Sequence, residues 1–238
     1  MLPQGSAGSG LSRRLLGVAV LALTGFVVLA LLAAAHQLST LDHRARALVH
    51  LTRLPLLDPA MNGVSGLGEN YGLIPLITLG VAALWRPRRR WAMVLPLLMA
   101  GTGALQLVAK WAIDRPRPNL AAWGFPSGHV LSLVVFFGLM TYLLASSTLA
   151  RPWRWLGYAG CAATVLAVAF SRLYLEAHWV TDVAGGFTLG LAYLLLAISL
   201  VESVARPRVA ASLCSEAQVH LADDEGRGAD VDPVVVTV

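Results

Sequence analysis

Three short polar clusters interrupt an otherwise apolar chain. The first is Lys110-Trp-Ala-Ile-Asp-Arg-Pro-Arg117-Pro118. The second is Pro126-Ser127-Gly128-His129. The third is Ser171-Arg172, five residues, His178, three residues and Asp182. Lys110, Arg117 and Arg172 bring three positive charges. An arginine fork fits an oxyanion bidentately, and a lysine adds a point charge. Ser127 offers a hydroxyl, and Gly128 lets the backbone come close to a ligand. Ser127 to His129 stands where a helix is predicted to begin, and a helix N-terminus presents free N–H groups and positive dipole to an anion. His178 and Asp182 are spaced i, i+4, which on a helix puts them on one face. A carboxylate there can hold the imidazole tautomer and stabilise its charged form. His129 is a second imidazole, available as a general acid. Together these residues describe an oxyanion site with a nucleophile.

Each signal has a plainer reading. Basic residues at membrane ends snorkel to headgroups, Pro-Ser-Gly is often a turn before a helix cap, and a lone histidine is usually a surface residue. The joint pattern of two His, one Asp and three cations is what those readings leave unexplained. Two His and an Asp could hold zinc, but three cations beside them would repel it. No metal and no cofactor are expected.

The elements that must position these clusters are membrane helices. Of 238 residues, 57% are hydrophobic and only 13% charged, about half the roughly 25% charge of a soluble domain. That excludes a soluble globule, a disordered chain, collagen and a coiled coil. Two cysteines, Cys161 and Cys214, leave no disulfide framework and no CxxC metal site. Nothing suggests a nucleic-acid partner.

The fold class expected is all-α, a polytopic bundle of six transmembrane helices. Leu15 to Ala35 is the first apolar run, and its 21 residues span about 32 Å, enough for a hydrocarbon core of about 30 Å. A cleaved signal is the rival reading, but signal cores run about 7–15 residues. Tyr71 to Trp85 is the second run, about 22 Å as a helix, and its span is expected to start earlier, near Val64, despite Gly66, Gly68 and Glu69. Trp91–Ala109, His129–Leu149, Trp155–Phe170 and a run from Asp182 to Val201 complete the six. Between the first two spans, Leu48, Leu51, Leu54 and Leu56 interleave with Arg44, Arg46, His50 and Arg53, which suits a short amphipathic helix on the membrane surface. His36, His43 and His50 read as solvated surface residues. Asp182, Gly186 and Gly190 form a small-residue packing face, and Gly101 and Gly103 suggest another. Residues 1–12 and the acidic tail 206–238 read as disordered, leaving 13–205 as the membrane domain.

Six spans put both termini on one side. With them inside, ten basic residues flank the inner helix ends (Arg13, Arg14, Arg86, Arg88, Arg89, Arg90, Arg151, Arg154, Arg206, Arg208). Seven flank the outer ends (Arg44, Arg46, Arg53, Lys110, Arg115, Arg117, Arg172). The positive-inside rule then predicts a multi-pass protein of the cell (inner) membrane with cytoplasmic termini. All three polar clusters would face the periplasm or exterior.

The clusters resemble the signature of the type 2 phosphatidic acid phosphatase superfamily. Lys-x6-Arg-Pro matches Lys110, Arg117 and Pro118, and Pro-Ser-Gly-His matches Pro126 to His129. Ser-Arg-x5-His-x3-Asp matches Ser171, Arg172, His178 and Asp182. The resemblance implies that His178 is the nucleophile and forms a phosphohistidine, that Asp182 orients it, and that His129 protonates the leaving oxygen. Lys110, Arg117, Ser127, Gly128 and Arg172 would bind the phosphate oxygens, with no metal required. The family's membrane branch acts on lipid phosphates and diphosphates, so the expected partners are a lipid phosphate substrate and the surrounding lipids. The short stretch Asn119–Phe125 between the first two motifs favours a small headgroup. A phosphotransferase using the same site, or a non-catalytic lipid-phosphate binding or transport protein, are the alternatives.

Overall fold

Among the described residues every element is helical. The computed structural model describes the backbone of residues 6–35, 37 and 39–228, and the side chains of 13–35, 37 and 40–204. The helices are α1 (Ser6–Ala34), α2 (Ser39–His50), α3 (Asp58–Gly66), α4 (Asn70–Trp85), α5 (Arg89–Ile113), α6 (Gly128–Ala145), α7 (Arg151–Tyr174) and α8 (Val180–Gly228). A 3-10 turn, Pro55–Leu57, precedes α3. The chain divides into two units, Met1–Ala197 and Ile198–Val238. The first holds all the residues of the polar clusters. In the second, the helix runs on to Gly228.

Five helices are long and apolar enough to cross a membrane, and a sixth span results if the bent pair Pro55–Gly66 and Asn70–Trp85 counts as one. The protein is a multi-pass membrane protein. Pro75 in α4 and Pro96 in α5 lie inside helices, as membrane helices tolerate.

α6 is the central helix. Val130, Leu131, Leu133, Val135 and Leu139 on it are buried, and it is apolar on every side, as a helix surrounded by others must be. α8 crosses it closely. A Cβ on Gly186 would lie 2.5 Å from the Ser127 carbonyl, and one on Gly190 would lie 3.0 Å from that of Leu131. The small-residue face of α8 therefore packs as its spacing suggests. On α5, a Cβ on Gly101 would meet the Tyr193 hydroxyl, whereas Gly103 faces open space. α1 is peripheral and stacks Phe26 on Phe125, ring centroids 5.7 Å apart.

Several boundaries differ from expectation. The second span does not run unbroken from Val64. It breaks between Gly66 and Asn70 and bends by 47°. Three closely spaced glycines and Glu69 prevent a continuous apolar helix there. α7 continues past Phe170 to Tyr174, so Ser171 and Arg172 are helical. α2 ends at His50, and Leu48, Leu51, Leu54 and Leu56 are exposed on and beyond it. His43 and His50 are exposed, as expected, and His36 lies outside the described residues. Residues 6–12 belong to α1 and 206–228 to α8, where disorder was expected. Ala210, Ala211, Leu213, Glu216, Ala217 and Gln218 are strong helix formers. Residues 1–5 and 229–238 lie outside the described residues.

Candidate active site

Four helix ends bring the clusters together. α5 stops at Asp114, whose left-handed backbone (φ 38°) lets its N–H bond the Lys110 carbonyl at 2.9 Å. This is an αL cap. It turns Arg115 and Arg117 away from the helix axis while leaving Lys110 on the last turn. α6 opens at Gly128, α7 ends just after Arg172, and α8 starts at Val180. The Ser127 N–H bonds the Asp182 carbonyl at 3.0 Å and ties the second cluster to the third.

A cavity of about 260 Å³ lies where these ends meet. Lys110, Arg117, Gly128, His129, Arg172 and His178 line it, together with Gly68, Glu69, Gln106 and Ser132. Three cations from separate segments thus share one small space with two imidazoles. The Nε atoms of Arg117 and Arg172 and the Ser127 hydroxyl are buried without a hydrogen-bond partner. An oxyanion with several acceptor oxygens is the kind of ligand that would satisfy such donors. Ser127 is fully buried, and neither it nor Asp182 lines the cavity. The Ser171 hydroxyl bonds the Val168 carbonyl of its own helix at 2.8 Å, so its role is local. A Cβ on Gly128 would displace the Gln106 side-chain amide, so the glycine lets Gln106 approach the start of α6.

His178 and Asp182 do come together, but not along one helical face. α8 begins at Val180, two residues after His178, so the histidine precedes the helix that carries Asp182. Asp182 sits in the first turn and accepts a hydrogen bond from the Trp179 N–H at 2.9 Å, one half of a capping box. The same Oδ2 lies 3.5 Å from His178 Nδ1. The other ring nitrogen, Nε2, is the one not facing Asp182. Burial pushes the His178 imidazole below its ordinary value, and Arg172 and Arg117 add to this while Asp182 opposes it.

Behind Asp182 lies a network that no motif announces. Arg115 Nη1 donates to Asp182 Oδ1 at 2.9 Å and to the Thr181 hydroxyl at 2.6 Å. Its Nη2 donates to Asp42. Asp42 also accepts from the Thr181 N–H at 3.1 Å. All four side chains are buried. Arg115 had counted only towards topology, and Asp42 not at all. α2 is thus more than a surface helix, since it inserts Asp42 under the site. Its Arg46 and His50, with Arg53 just beyond its end, gather around Glu176, in the turn that carries His178.

Gln106 was legible in principle. Thr102, Gln106 and Lys110 are spaced i, i+4, i+8 in an apolar run, and a polar stripe inside a membrane helix points at function. Thr102 lies 3.2 Å from the Ser132 hydroxyl on α6. Among the described residues no three His, Cys, Asp or Glu side chains cluster suitably for a metal ion.

Comparison with known proteins agrees with this architecture. The PAP2 superfamily model matches residues 91–206, which include all three clusters. Phosphatidylglycerophosphatase B of Bacillus subtilis is 31% identical over 192 residues, covering 77% of this chain and 94% of the relative. An undecaprenyl-diphosphatase of Sulfolobus acidocaldarius is 27% identical, covering 60% of this chain and 70% of the relative. The crystal structure of a transmembrane PAP2 type phosphatidylglycerolphosphate phosphatase from Bacillus subtilis superposes with a TM-score of 0.69 at 28% identity, covering 79% of this chain and 98% of the other. Aquifex aeolicus LpxE shares the fold, with a TM-score of 0.54 at 24% identity over 67% of this chain and 94% of the other. With its three clusters gathered at one end of a membrane helix bundle and a relative this similar over nearly its whole length, the chain belongs to the PAP2 superfamily, among its membrane phosphatases.

Proposed function

We propose that residues 13–205 hydrolyse a lipid phosphate monoester or diphosphate through a phosphohistidine, without a metal. The observation that carries this is the convergence of Lys110, Arg117 and Arg172 on one cavity with His129 and His178. Phosphoryl transfer demands mainly positioning and charge stabilisation, and three cations supply the charge that a metal would otherwise bring. His178 Nε2 attacks phosphorus while Asp182 holds the Nδ1 side. The bond from phosphorus to the lipid oxygen breaks with its electron pair on that oxygen, and His129 supplies the proton. In the second half a water oxygen bonds phosphorus, His129 takes the water's proton, and the bond to His178 breaks. Lys110, Arg117, Arg172 and the α6 N-terminus at Gly128 hold the phosphoryl oxygens.

The names of the relatives point to phosphatidylglycerol phosphate as the first substrate to try, with phosphatidic acid and a polyprenyl diphosphate beside it. The excess of basic residues at the opposite helix ends supports an active site facing the exterior. Of these, Arg88 donates to the Ser146 carbonyl at 2.7 Å, and Arg154 to that of Ala145 at 3.4 Å, where cations complement a helix C-terminus. The test is phosphate release by the purified protein, in chelator, from that panel. Release in chelator is the expected result. Activity lost to chelator and restored by a divalent ion would remove the metal-free mechanism. A cysteine added near Asn119 that labels only from the cytoplasmic side would reverse the orientation.

A further inference from the structure

The break between α3 and α4 is built against His129. Glu69 stands at the N-cap position of α4 with an extended backbone (φ −82°, ψ 164°), yet its side chain makes no capping hydrogen bond. Its Oε1 instead lies 2.9 Å from His129 Nε2. The neighbouring residue has no room for a side chain. A Cβ on Gly68 would fall 2.5–2.7 Å from the Cδ2, Cβ and Cγ atoms of His129, so only glycine lets this segment approach the ring. A Cβ on Gly72 would run into the Gly66 carbonyl, so the turn itself closes only on glycines. One turn earlier, Ser65 accepts a hydrogen bond from Arg172 Nη1. A charged residue in a membrane span is costly and calls for a functional reason. Capping is not that reason here.

Lys110, Arg117 and Arg172 share the cavity with this ring, and a fourth positive charge among them is electrostatically opposed. A carboxylate on the ring supplies the missing counter-charge and restricts the ring's rotation. We propose that Glu69 is the positioning residue of the general acid. It accepts the Nε2–H of His129, holds the imidazolium against the cations around it, and aims it at the leaving oxygen. As the lipid oxygen departs with the electron pair of its bond to phosphorus, the Nδ1 proton of the imidazolium passes to that oxygen, while the Nε2 proton stays with Glu69. The neutral ring stays against Glu69 until the attacking water gives up a proton to it.

This inference rests on the phosphatase reading, and the two fail differently. The test uses the full chain in detergent micelles, with Glu69→Gln, Glu69→Asp, His129→Ala and the Glu69→Gln/His129→Ala double variant. Rates are measured on phosphatidic acid, whose leaving group is a poor lipid alkoxide, and on an aryl phosphate, whose phenolate leaves with little protonation. Glu69→Gln should lower kcat on the lipid by about tenfold to a hundredfold, part of the roughly 10²–10⁴ that a general acid contributes. It should change the aryl rate and both KM values by less than about threefold. Glu69→Asp should recover part of the loss, and the double variant should be no slower than His129→Ala alone, since coupled residues are non-additive. Losses that multiply in the double variant, an equal fall on both substrates, or a change confined to KM would overturn the positioning role while leaving the phosphatase standing. A wild-type chain inert on every phosphate would overturn the phosphatase reading and this inference with it.

Discussion

The two histidines of the cavity are held in opposite ways. His178 is 3% exposed, and the Asp182 beside it is locked from behind by Arg115, which also binds Asp42. The groups behind Asp182 are buried and drawn from α2, the loop after α5 and the start of α8, while His178 Nδ1 itself stands 3.5 Å from Asp182 and makes no hydrogen bond among the described residues. Among the described residues His129 makes one side-chain hydrogen bond, to Glu69, whose side chain is 48% exposed. A nucleophile must present one nitrogen to phosphorus in a fixed line, and a dry network of ion pairs provides that rigidity. A general acid must meet leaving groups that differ in size and exchange protons with water, which a half-open pair permits. In the mechanism we propose, the same chemical motif, an imidazole beside a carboxylate, would serve two purposes according to what lies behind the carboxylate.

The contrast can be broken most severely at the nucleophile. His178→Ala should abolish the acid-quench phosphoenzyme and lower turnover on the order of 10⁴-fold or more. A trapped phosphoenzyme in that variant would assign the nucleophile elsewhere. Next comes the support behind it. Arg115→Met leaves Asp42 and Asp182 buried without their counter-charge, and should destabilise the protein by about 3–5 kcal/mol. Glu69→Gln, exposed, should stay within about 0.5 kcal/mol of wild type. Thermal unfolding of the two variants in one detergent compares them directly, and equal losses would erase the distinction drawn here.

On the acid side, His129→Ala should slow lipid substrates by about 10²–10⁴ and aryl phosphates less, read as the ratio of the two rates. A smaller disturbance comes from Gly68→Ala. Its added methyl overlaps the His129 ring, an overpacking worth about 1–3 kcal/mol. The expected result is a lower lipid-to-aryl rate ratio with phosphoenzyme formation from the aryl substrate retained.

The smallest effect is in pH. Burial, with Arg172 and Arg117, lowers the His178 imidazole below its ordinary value against the pull of Asp182. The neutral nucleophile therefore persists below pH about 6.5. Phosphoenzyme formation from an aryl phosphate should lose half its rate only below that pH, and a half-point above it would contradict the burial argument. For stability the sign is the same. Below pH about 6.5 the unfolded chain takes up a proton that folded His178 refuses. Stability is therefore lost as pH falls from that value towards the folded one, and His178 contributes nothing to the pH dependence above it.

The parts of this protein legible in its sequence are those that depend on local composition and short spacing. Long apolar runs announce membrane helices, because the hydrocarbon core sets their length. The i, i+4, i+8 run of Asp182, Gly186 and Gly190 announces the face on which α8 meets α6. Half of the residues lining the cavity, its three cations among them, come from the three clusters, since cations in a chain this poor in charge stand out. Spacing misled where it assumed a helix: His178 and Asp182 are i, i+4 but meet across a helix start, not along a face. What only the tertiary structure decided are the partners. Asp42 lies 140 residues before Asp182 in the numbering, and Glu69 is 60 residues from His129, distances over which no periodicity carries information. A carboxylate in a loop and one beside a catalytic histidine look alike in sequence. What separates them is burial and contact, which arise only when the break at Gly66–Asn70 folds onto α6 and α2 slides beneath the turn that carries His178.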